Sequence, residues 1–402
     1  MDANQSVKEL YEHFPYPRAD ENLAPFLERK MIPAWNPRDS FALFFPDQPF
    51  REDLDILIAG CGTNTAQQHA ACMPNARIVG VDISSSSLAH AQKVIDSFGL
   101  KNVELIQLPL EKVETLGRTF DLVHCQGVLH HLESPSAGLH ALAKVTRPTG
   151  ALSLMLYATY GRAGVYMLQE LFRDRLGLAV SEADLSRVQT ATQMLPAGHP
   201  FKAVHAKSGE RIALEELADL LLHPRDIAYT VGDVKRLVDD SGLLFQRWMG
   251  QAQYTPEVSP FQEFAPEFAR MDFWQKSAAM ELFYGKLITH QFVLSHPGRP
   301  TPGDLFAIDK MPRAVPILSP HLRVTHAGGE VELVHSQHQV PFRVTLPLTG
   351  EAAFLKHVDG SRTVAQIVEA AAPANQRYAA QKLANGFFHE LYLADMVELR
   401  AS

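Results

Sequence analysis

The sequence contains few cysteines. Of its 402 residues only Cys61, Cys72 and Cys125 carry thiols, and no two of them have the CxxC spacing. A disulfide framework or a zinc ribbon needs more cysteines at closer spacing. We therefore expect three free thiols in a reducing compartment.

Long apolar runs and basic clusters are also missing. No stretch approaches the roughly 18 uninterrupted apolar residues of a membrane span, and the opening residues MDANQSVKELYEHFPYPR do not resemble a signal peptide. The chain has 37 Lys and Arg against 45 Asp and Glu, with no basic run of the kind that nucleic-acid binders carry. These absences predict a cytoplasmic protein that binds neither membranes nor nucleic acid.

What is present is an ordinary globular composition, with 46% hydrophobic and 20% charged residues. A chain of this length should form two or three domains. Prolines and shifts in composition divide it into an aromatic- and proline-rich arm (1–50), an α/β domain (51–296) with a helical insertion near 162–230, a linker (297–319) and a small C-terminal domain (320–402).

Strand-like and helical segments alternate between residues 54 and 157. The strand-like runs, among them LDILIAG, RIVGVDI and FDLVHCQGVL, are almost unbroken Ile, Leu and Val. Such runs are typical of parallel strands buried on both faces. Further strands are expected at 242–250 and 286–295, which gives a Rossmann-like sheet of seven mostly parallel strands.

The run DILIAGCGTNT joins a strand to a helix through Gly60-Cys61-Gly62. Such a turn points backbone N–H groups at a ligand beyond the sheet edge, although two glycines can also form a simple tight turn. Asp82 ends the next strand, where an acid can accept hydrogen bonds from ribose hydroxyls or can instead cap the following helix. A bound NAD and a bound S-adenosylmethionine both satisfy these features.

The glycine spacing distinguishes the two nucleotides, because GxGxxG is absent. The turn AGCGTN, the segment FDLVHCQGVLHHL (120–132) and the segment RPTGALSLML (147–156) resemble the class I S-adenosylmethionine-dependent methyltransferases. This resemblance implies a Rossmann-like fold, S-adenosylmethionine as methyl donor and methyl transfer as the reaction. It assigns donor binding to Gly60, Cys61, Gly62, Asn64, Asp82, Ile83, Leu108, Leu110, Glu111 and Gln126.

Two positions depart from the family pattern. Asn64 replaces a third glycine, and we expect it to tolerate a positive φ and to reach the ligand with its side chain. The acid that usually meets the adenine amine is missing. Glu111 is the nearest acid, although it suits a surface position that opens a helix equally well, and Leu108 with Leu110 can sandwich the adenine.

Candidate residues for catalysis follow the fourth strand and lie in the arm. His130 or His131 can remove a proton from the methyl acceptor, or the two can form a purely structural pair. The arm contributes Tyr11, Tyr16 and Arg18, as a lid over the acceptor or as simple packing. We assign a catalytic role to Tyr16 and acceptor binding to Tyr11 and Arg18.

The acceptor site also includes a loop before the helix at 234–240. His223, Arg225 and Tyr229 suit an acidic or zwitterionic acceptor, with Arg225 as a bidentate partner, although a surface pair of Arg225 with Asp226 is the alternative. No HExxH or CxxC spacing indicates a metal.

Weaker resemblances concern the domain plan. YEHFPYPR and residues 220–243 resemble an uncharacterised bacterial methyltransferase subgroup, and FLKHVDGSRTVAQIV (354–368) resembles winged-helix-like tails found in that subgroup and in bacterial protein-lysine methyltransferases. A small-molecule acceptor is the first hypothesis. A protein side chain docked through the tail is the second, and a non-catalytic binding protein is the third. The sequence does not indicate an oligomeric state.

Overall fold

Seven strands form one mostly parallel sheet in the computed structural model, which describes residues 3–33, 35–205, 211–259, 262–328, 330–336, 338–339, 343–347 and 350–402. Along the sheet the strands lie in the order β3-β2-β1-β4-β5-β7-β6. They are β1 (Asp55–Ala59), β2 (Arg77–Asp82), β3 (Val103–Gln107), β4 (Phe120–Gln126), β5 (Thr146–Tyr157), β6 (Leu244–Trp248) and β7 (Thr289–Ser295). The prediction of this sheet is confirmed.

The pairing follows the sequence pattern. β1 pairs in parallel with β2 and β4, β2 with β3, and β4 with β5, whereas β6 pairs antiparallel with β7. In β1 the side chains of Ile56, Leu57 and Ile58 are all buried, although successive side chains point to opposite faces. Helices therefore cover both faces of the sheet.

Seventeen α-helices lie in the described ranges. They are α1 (Ala3–His13), α2 (Ala24–Leu27), α3 (Phe41–Phe44), α4 (Thr65–Cys72), α5 (Ser85–Phe98), α6 (Pro135–Val145), α7 (Ala163–Gln169), α8 (Glu182–Met194), α9 (Pro200–His205), α10 (Leu214–Leu221), α11 (Val231–Ser241), α12 (Ala265–Phe268), α13 (Phe273–Tyr284), α14 (Pro302–Leu305), α15 (Ala352–Leu355), α16 (Val364–Ala371) and α17 (Arg377–Leu393). Within the described part of the chain, no helix combines the length and apolarity needed to cross a membrane.

The chain divides into two units. One comprises Met1–Ala34, Glu52–Leu243 and Gly285–His290, and the other comprises Trp35–Arg51, Leu244–Tyr284 and Gln291–Ser402. In the first unit, α7 to α10 and a π-helical turn at Glu170–Arg175 form the predicted helical insertion. Its apolar core includes Leu168, Phe172 and Leu221, and Leu10 of α1 is buried in the same core. The arm therefore packs through α1 on the insertion.

The second unit contains two small sheets. One is antiparallel and consists of β9 (Leu322–Ala327), β10 (Glu330–His335) and β11 (Arg343–Pro347). The other pairs β8 (Ala314–Leu318) with β12 (Val397–Ala401). The segment 297–319, predicted as a linker, thus contributes a strand to this unit. The winged-helix assignment and the domain boundaries stay predictions.

Candidate functional site

A cavity of about 250 Å³ opens at the carboxyl ends of β1, β2 and β4 in the first unit. Parallel sheets bind their ligands at this edge. The lining residues are Val7, Tyr11, Tyr16, Pro17, Gly60, Cys61, Gly62, Thr65, Asp82, Ile83, Ser87, Leu108, Pro109, Leu110, Glu111, Gln126, Gly127, Val128, His131, Leu132, Met155, Tyr157 and Asp219.

The glycine turn after β1 forms one wall of this cavity. Gly60 and Gly62 have φ values of +72° and +54°, which residues with a Cβ rarely adopt. A Cβ on Gly60 would lie 2.2 Å from Cγ2 of Val128, and one on Gly62 would lie 3.1 Å from the carbonyl oxygen of Tyr16. Glycine is needed at both positions for two reasons. It adopts the positive φ without strain, and it leaves room for the neighbouring segments of the same chain.

Asn64 behaves differently from the expectation. Its φ is −131°, so it does not use the positive φ that it was expected to tolerate. Its side-chain amide donates to the carbonyl oxygen of Arg18 at 2.9 Å, and its Oδ1 accepts from the N–H of Asp20 at 2.9 Å. The side chain therefore holds the arm and does not line the cavity.

Asp82 is oriented by two backbone amides. Its Oδ2 accepts from Gly62 N–H at 2.8 Å, and its Oδ1 accepts from Ser84 N–H at 2.9 Å. Burial raises the pKa of Asp82, while these two hydrogen bonds act in the opposite direction. The N-cap of α5 is Ser84, whose hydroxyl accepts from Ser87 N–H. Asp82 is therefore not the cap, and its carboxylate faces the cavity.

Two sets of contacts hold the arm over this edge. At the glycine turn, the Thr63 hydroxyl donates to the carbonyl oxygen of Pro17 at 2.5 Å. At α5, the carboxylate of Glu12 accepts from Ser85 N–H at 2.7 Å, from the Ser85 hydroxyl at 2.8 Å and from Ser86 N–H at 3.0 Å. An acid at a helix amino terminus satisfies unpaired N–H groups and complements the helix dipole.

The arm also meets the insertion beside the cavity. The Tyr11 hydroxyl donates to Oδ1 of Asp219 in α10 at 2.7 Å. Burial raises the pKa of Tyr11, and the neighbouring Asp219 raises it further. Burial also raises the pKa of Asp219, while His131 and the hydrogen bond from Tyr11 lower it. This contact joins two segments that line the same cavity.

Two histidines stack next to Asp219. The rings of His131 and His223 have centroids 3.8 Å apart and an interplanar angle of 28°. Nδ1 of His131 lies 2.7 Å from the carbonyl oxygen of Arg225, and Nδ1 of His223 accepts from the N–H of the same residue at 3.0 Å. Burial, reinforced by His131, keeps the pKa of His223 well below its usual range.

A second group of buried side chains, which includes His130, lies next to this histidine pair. His130 packs on Tyr157 with ring centroids 4.0 Å apart, and the Arg162 guanidinium lies 3.5 Å from the centroid of the same tyrosine ring. Arg162 also pairs with Asp226 at 3.2 Å. Burial lowers the pKa of His130 well below its usual range, and His131 adds to the effect. The expected alternative pairing of Arg225 with Asp226 is wrong, because Asp226 pairs with Arg162.

The structure brings together most of the predicted residues. Those that line the cavity are Tyr11, Tyr16, Gly60, Cys61, Gly62, Asp82, Ile83, Leu108, Leu110, Glu111, Gln126 and His131. Those that do not line it are Arg18, Asn64, His130, His223, Arg225 and Tyr229. Arg18 is exposed, and Tyr229 is buried and pairs through its backbone with Tyr157 of β5.

Sequence reasoning missed Asp219 and Tyr157. Asp219 lies in α10 between the buried residues Ala218 and Leu220, and it is itself 3% exposed. A charged residue on the apolar face of a helix needs a buried partner, so its position within LEELADLLL was the available signal. Tyr157 ends β5, and the sequence offered no comparable signal for it.

Two groups of side chains in the described part of the chain have the composition of a metal site. A ring nitrogen from each of His131 and His223 and a carboxylate oxygen of Asp219 lie within 4.8 Å of one another, and His130, His131 and Asp226 form a second such group. The N–H of Arg225 occupies the Nδ1 lone pair of His223, which leaves the proton of this neutral ring on Nε2. That nitrogen has no lone pair to offer a cation. The expectation that the chain binds no metal stays a prediction.

Comparison with known proteins places this geometry in a family. Residues 51–194 match the family model described as a methyltransferase domain. An uncharacterised protein from Synechococcus is 30% identical over 314 residues, which cover 72% of this chain and 71% of that protein. The chain belongs to the class I S-adenosylmethionine-dependent methyltransferases. S-adenosylmethionine is its methyl donor.

Two further similarities are more limited, because one covers a small part of this methyltransferase and the other has low sequence identity. A ubiquinone biosynthesis O-methyltransferase from Pseudoalteromonas translucida is 32% identical over 97 residues, which cover 24% of this chain and 40% of that protein. The structure of PKMT2 from Rickettsia typhi in complex with AdoHcy aligns with a TM-score of 0.65 and 14% identity, over 96% of this chain and 78% of that one. At this identity the second similarity concerns the fold alone.

Proposed function

We propose that this methyltransferase transfers the methyl group of S-adenosylmethionine to a small organic acceptor enclosed between the arm and the insertion. The hydrogen bond from Tyr11 to Asp219, 2.7 Å long, is the observation that carries the proposal. It joins the arm to the insertion at residues that both line the cavity. An acceptor held beneath this contact is shielded from water, as a displacement at a methyl group requires.

The donor fits the residues along the sheet edge. Asp82, already oriented by Gly62 and Ser84, would accept hydrogen bonds from the ribose hydroxyls. Leu108 and Leu110 would contact the adenine ring, and the glycine turn would let the backbone approach the amino-acid part. When bound, the donor supplies a methyl carbon on a positively charged sulfur.

On the acceptor side the residues of the chain exclude water and align the nucleophile. Tyr16 and Pro17 line the cavity where the arm crosses the glycine turn. His131 lines the same cavity and follows β4, where we expect the methyl group to be presented. These contacts favour an enclosed acceptor over a protein side chain, which would need an open approach.

The relatives offer support of two kinds. The curated relatives named ubiquinone biosynthesis O-methyltransferase act, by that name, in the synthesis of a small molecule, although each match covers only part of the chain. The long alignment with PKMT2 includes the C-terminal region. A protein acceptor docked on that region is the second candidate.

The test uses S-adenosylmethionine with a deuterated methyl group. The full chain is incubated with a bacterial extract that has been divided into low-molecular-mass and protein fractions, and mass spectrometry locates the deuterium. We expect the label in a small molecule, with much less label when Tyr11→Phe removes the bond to Asp219. Tyr378→Phe, at a tyrosine that is 91% exposed, is the control. Label confined to proteins would overturn the proposal.

A further inference from the structure

The stacked imidazoles of His131 and His223 both form hydrogen bonds with the backbone of Arg225. His131 binds the carbonyl oxygen of Arg225 through Nδ1, and His223 binds the N–H of Arg225 through Nδ1. The rings are almost parallel, with centroids 3.8 Å apart. Because both Nδ1 atoms face Arg225, both Nε2 atoms point away from it.

These contacts fix a different tautomer in each ring. A carbonyl oxygen can only accept, so Nδ1 of neutral His131 carries the proton and its Nε2 carries a lone pair. A backbone N–H can only donate, so Nδ1 of neutral His223 carries the lone pair and its Nε2 carries the proton. One Nε2 is therefore an acceptor, and the adjacent one is a donor.

Both Nε2 atoms are buried, and neither has a hydrogen-bond partner among the residues that the structure describes. A buried polar atom without a hydrogen-bond partner is unfavourable, and a ligand that supplies the missing bonds would recover this cost. His131 lines the cavity, and His223 is stacked on it. The two atoms thus form a donor and acceptor pair at the cavity wall, in which His131 belongs to the lining and His223 lies directly against His131.

We propose that Nε2 of His131 and Nε2 of His223 together bind the hydroxyl group that this enzyme methylates, so that the acceptor is a phenol, an enol or a similarly acidic alcohol. This inference rests on the proposed function, because it names the class of the enclosed small molecule. A hydroxyl both donates and accepts, and it therefore matches the two nitrogens. A carboxylate has no proton for the lone pair of His131, and it matches them poorly.

The reaction balances with these groups. The hydroxyl proton passes to Nε2 of His131, and an oxygen lone pair forms the bond to the methyl carbon. The electron pair of the carbon–sulfur bond goes to sulfur, which leaves as neutral S-adenosylhomocysteine. Nε2 of His223 donates a hydrogen bond to the acceptor oxygen while negative charge develops on that oxygen. His131 becomes an imidazolium beside the carboxylate of Asp219, and it returns its proton to water after the methyl ether leaves.

Asp219 has a positioning role in this scheme. Its carboxylate accepts from Tyr11 and lies within 4.8 Å of the two imidazoles. It touches neither the hydroxyl nor the methyl group in the proposal, but it offsets the positive charge that His131 acquires. The hydrogen bond from Tyr11 to Asp219, which closes the arm over the acceptor in this proposal, therefore also positions the carboxylate beside the base, His131.

The first test needs no donor. The full chain labelled with ¹⁵N-histidine is studied by long-range ¹H–¹⁵N NMR, and His131→Gln and His223→Gln identify the two ring signals. We expect the proton on Nδ1 in His131 and on Nε2 in His223. The same tautomer in both rings, or a zinc titration that shifts both Nε2 signals as direct ligands, would overturn the inference.

The second test uses phenol as the probe. Added phenol should shift both Nε2 signals, and we expect the His131→Gln variant to bind it about ten-fold more weakly than the wild type. His140→Gln, at an exposed histidine of α6, should bind phenol normally. Equal phenol affinity in the His131→Gln variant, in a protein with an unchanged circular dichroism spectrum, would contradict the inference.

The product separates this inference from the proposed function. A methyl ether on a small molecule supports both. A small product methylated on nitrogen, sulfur or carbon overturns the inference and leaves the proposed function intact. Methyl transfer only to proteins overturns the proposed function, and the inferred hydroxyl acceptor with it.

Discussion

The backbone amide of Gly62 donates a hydrogen bond of 2.8 Å to Oδ2 of Asp82. This bond joins the turn after β1 to the end of β2, where the cavity opens. Asp82 lines this cavity, and Gly62 donates the bond from a left-handed backbone conformation. The turn and the acid therefore form one structural unit at the edge of the cavity.

Gly62→Ala should weaken donor binding at least ten-fold. The new Cβ would meet the carbonyl oxygen of Tyr16 at 3.1 Å, and the φ of +54° would be strained with any side chain. Either the arm moves away or the bond to Asp82 is lost. Calorimetric titration with S-adenosylhomocysteine measures the effect.

Gly99→Ala is the matched control for that variant. Gly99 has a similar φ of +65°, but no heavy atom lies within 4 Å of the Cβ that the substitution adds. It should lose about 1 kcal/mol of stability through backbone strain and keep its donor affinity. Equal loss of affinity in both variants would show that Gly62 matters through stability alone.

Glu12→Ala should loosen the arm. The substitution removes three hydrogen bonds to Ser85 and Ser86 at the amino terminus of α5. We expect faster hydrogen exchange across α1 and a turnover several-fold lower than that of the wild type. Glu9→Ala, which changes an exposed glutamate of the same helix, should leave exchange across most of α1 unchanged. Unchanged exchange in the Glu12→Ala variant would contradict this account of how the arm is held.

The same bonds give the arm a pH dependence. Burial raises the pKa of Glu12, but the hydrogen bonds from Ser85 and Ser86 outweigh it, so the pKa lies below its usual range. An acid with a depressed pKa stabilises the docked arm above the pKa of the free side chain and loses this effect as the pH falls. Exchange across α1 should therefore rise below about pH 4.5 in the wild type and change less in the Glu12→Ala variant.

The sequence pattern predicts the sheet and the glycine turn at its edge well, because both depend on local signals. Unbroken Ile and Val mark buried strands, and a glycine pair marks the turn that needs positive φ. Deletion of residues 1–18 should reduce donor affinity, because Tyr16 and Pro17 line the cavity.

The contacts between the arm and the insertion were harder to predict, because they join residues far apart in the chain. Tyr11 and Asp219 are 208 residues apart, and nothing near either residue indicates the other. Arg225 was expected to bind the acceptor with its guanidinium, whereas the structure uses its backbone to orient two histidines. Backbone roles of this kind leave no trace in residue type.

The second unit offers a test of stability that is independent of the methyl donor. Burial raises the pKa of Glu398 to about 7, although Arg247 and a hydrogen bond from Ser40 act against it. An acid with a raised pKa holds its proton longer in the folded state than in the unfolded state. Stability should therefore fall as the pH rises from about 4.5 to about 7, by at most about 3 kcal/mol, and then level off.

Glu398→Gln should remove this decline, because the amide stays neutral at every pH. Chemical denaturation at pH 5 and pH 8 measures the free energy of unfolding of both proteins. Glu390→Gln, at an exposed position of α17, should keep the wild-type decline. If the free energy of unfolding of the wild type does not change between these pH values, burial does not raise the pKa of Glu398, and the prediction is wrong.

The role of Asp82 is the central claim, since every other assignment depends on a donor held at this edge of the sheet. Calorimetric titration of the wild type and the Asp82→Ala variant with S-adenosylhomocysteine, and with NAD for comparison, tests it most directly. We predict saturable binding of S-adenosylhomocysteine by the wild type, no binding of NAD, and a loss of about 1 to 3 kcal/mol in the variant. Unchanged affinity in a folded Asp82→Ala variant, or equal affinity for NAD, would contradict the account.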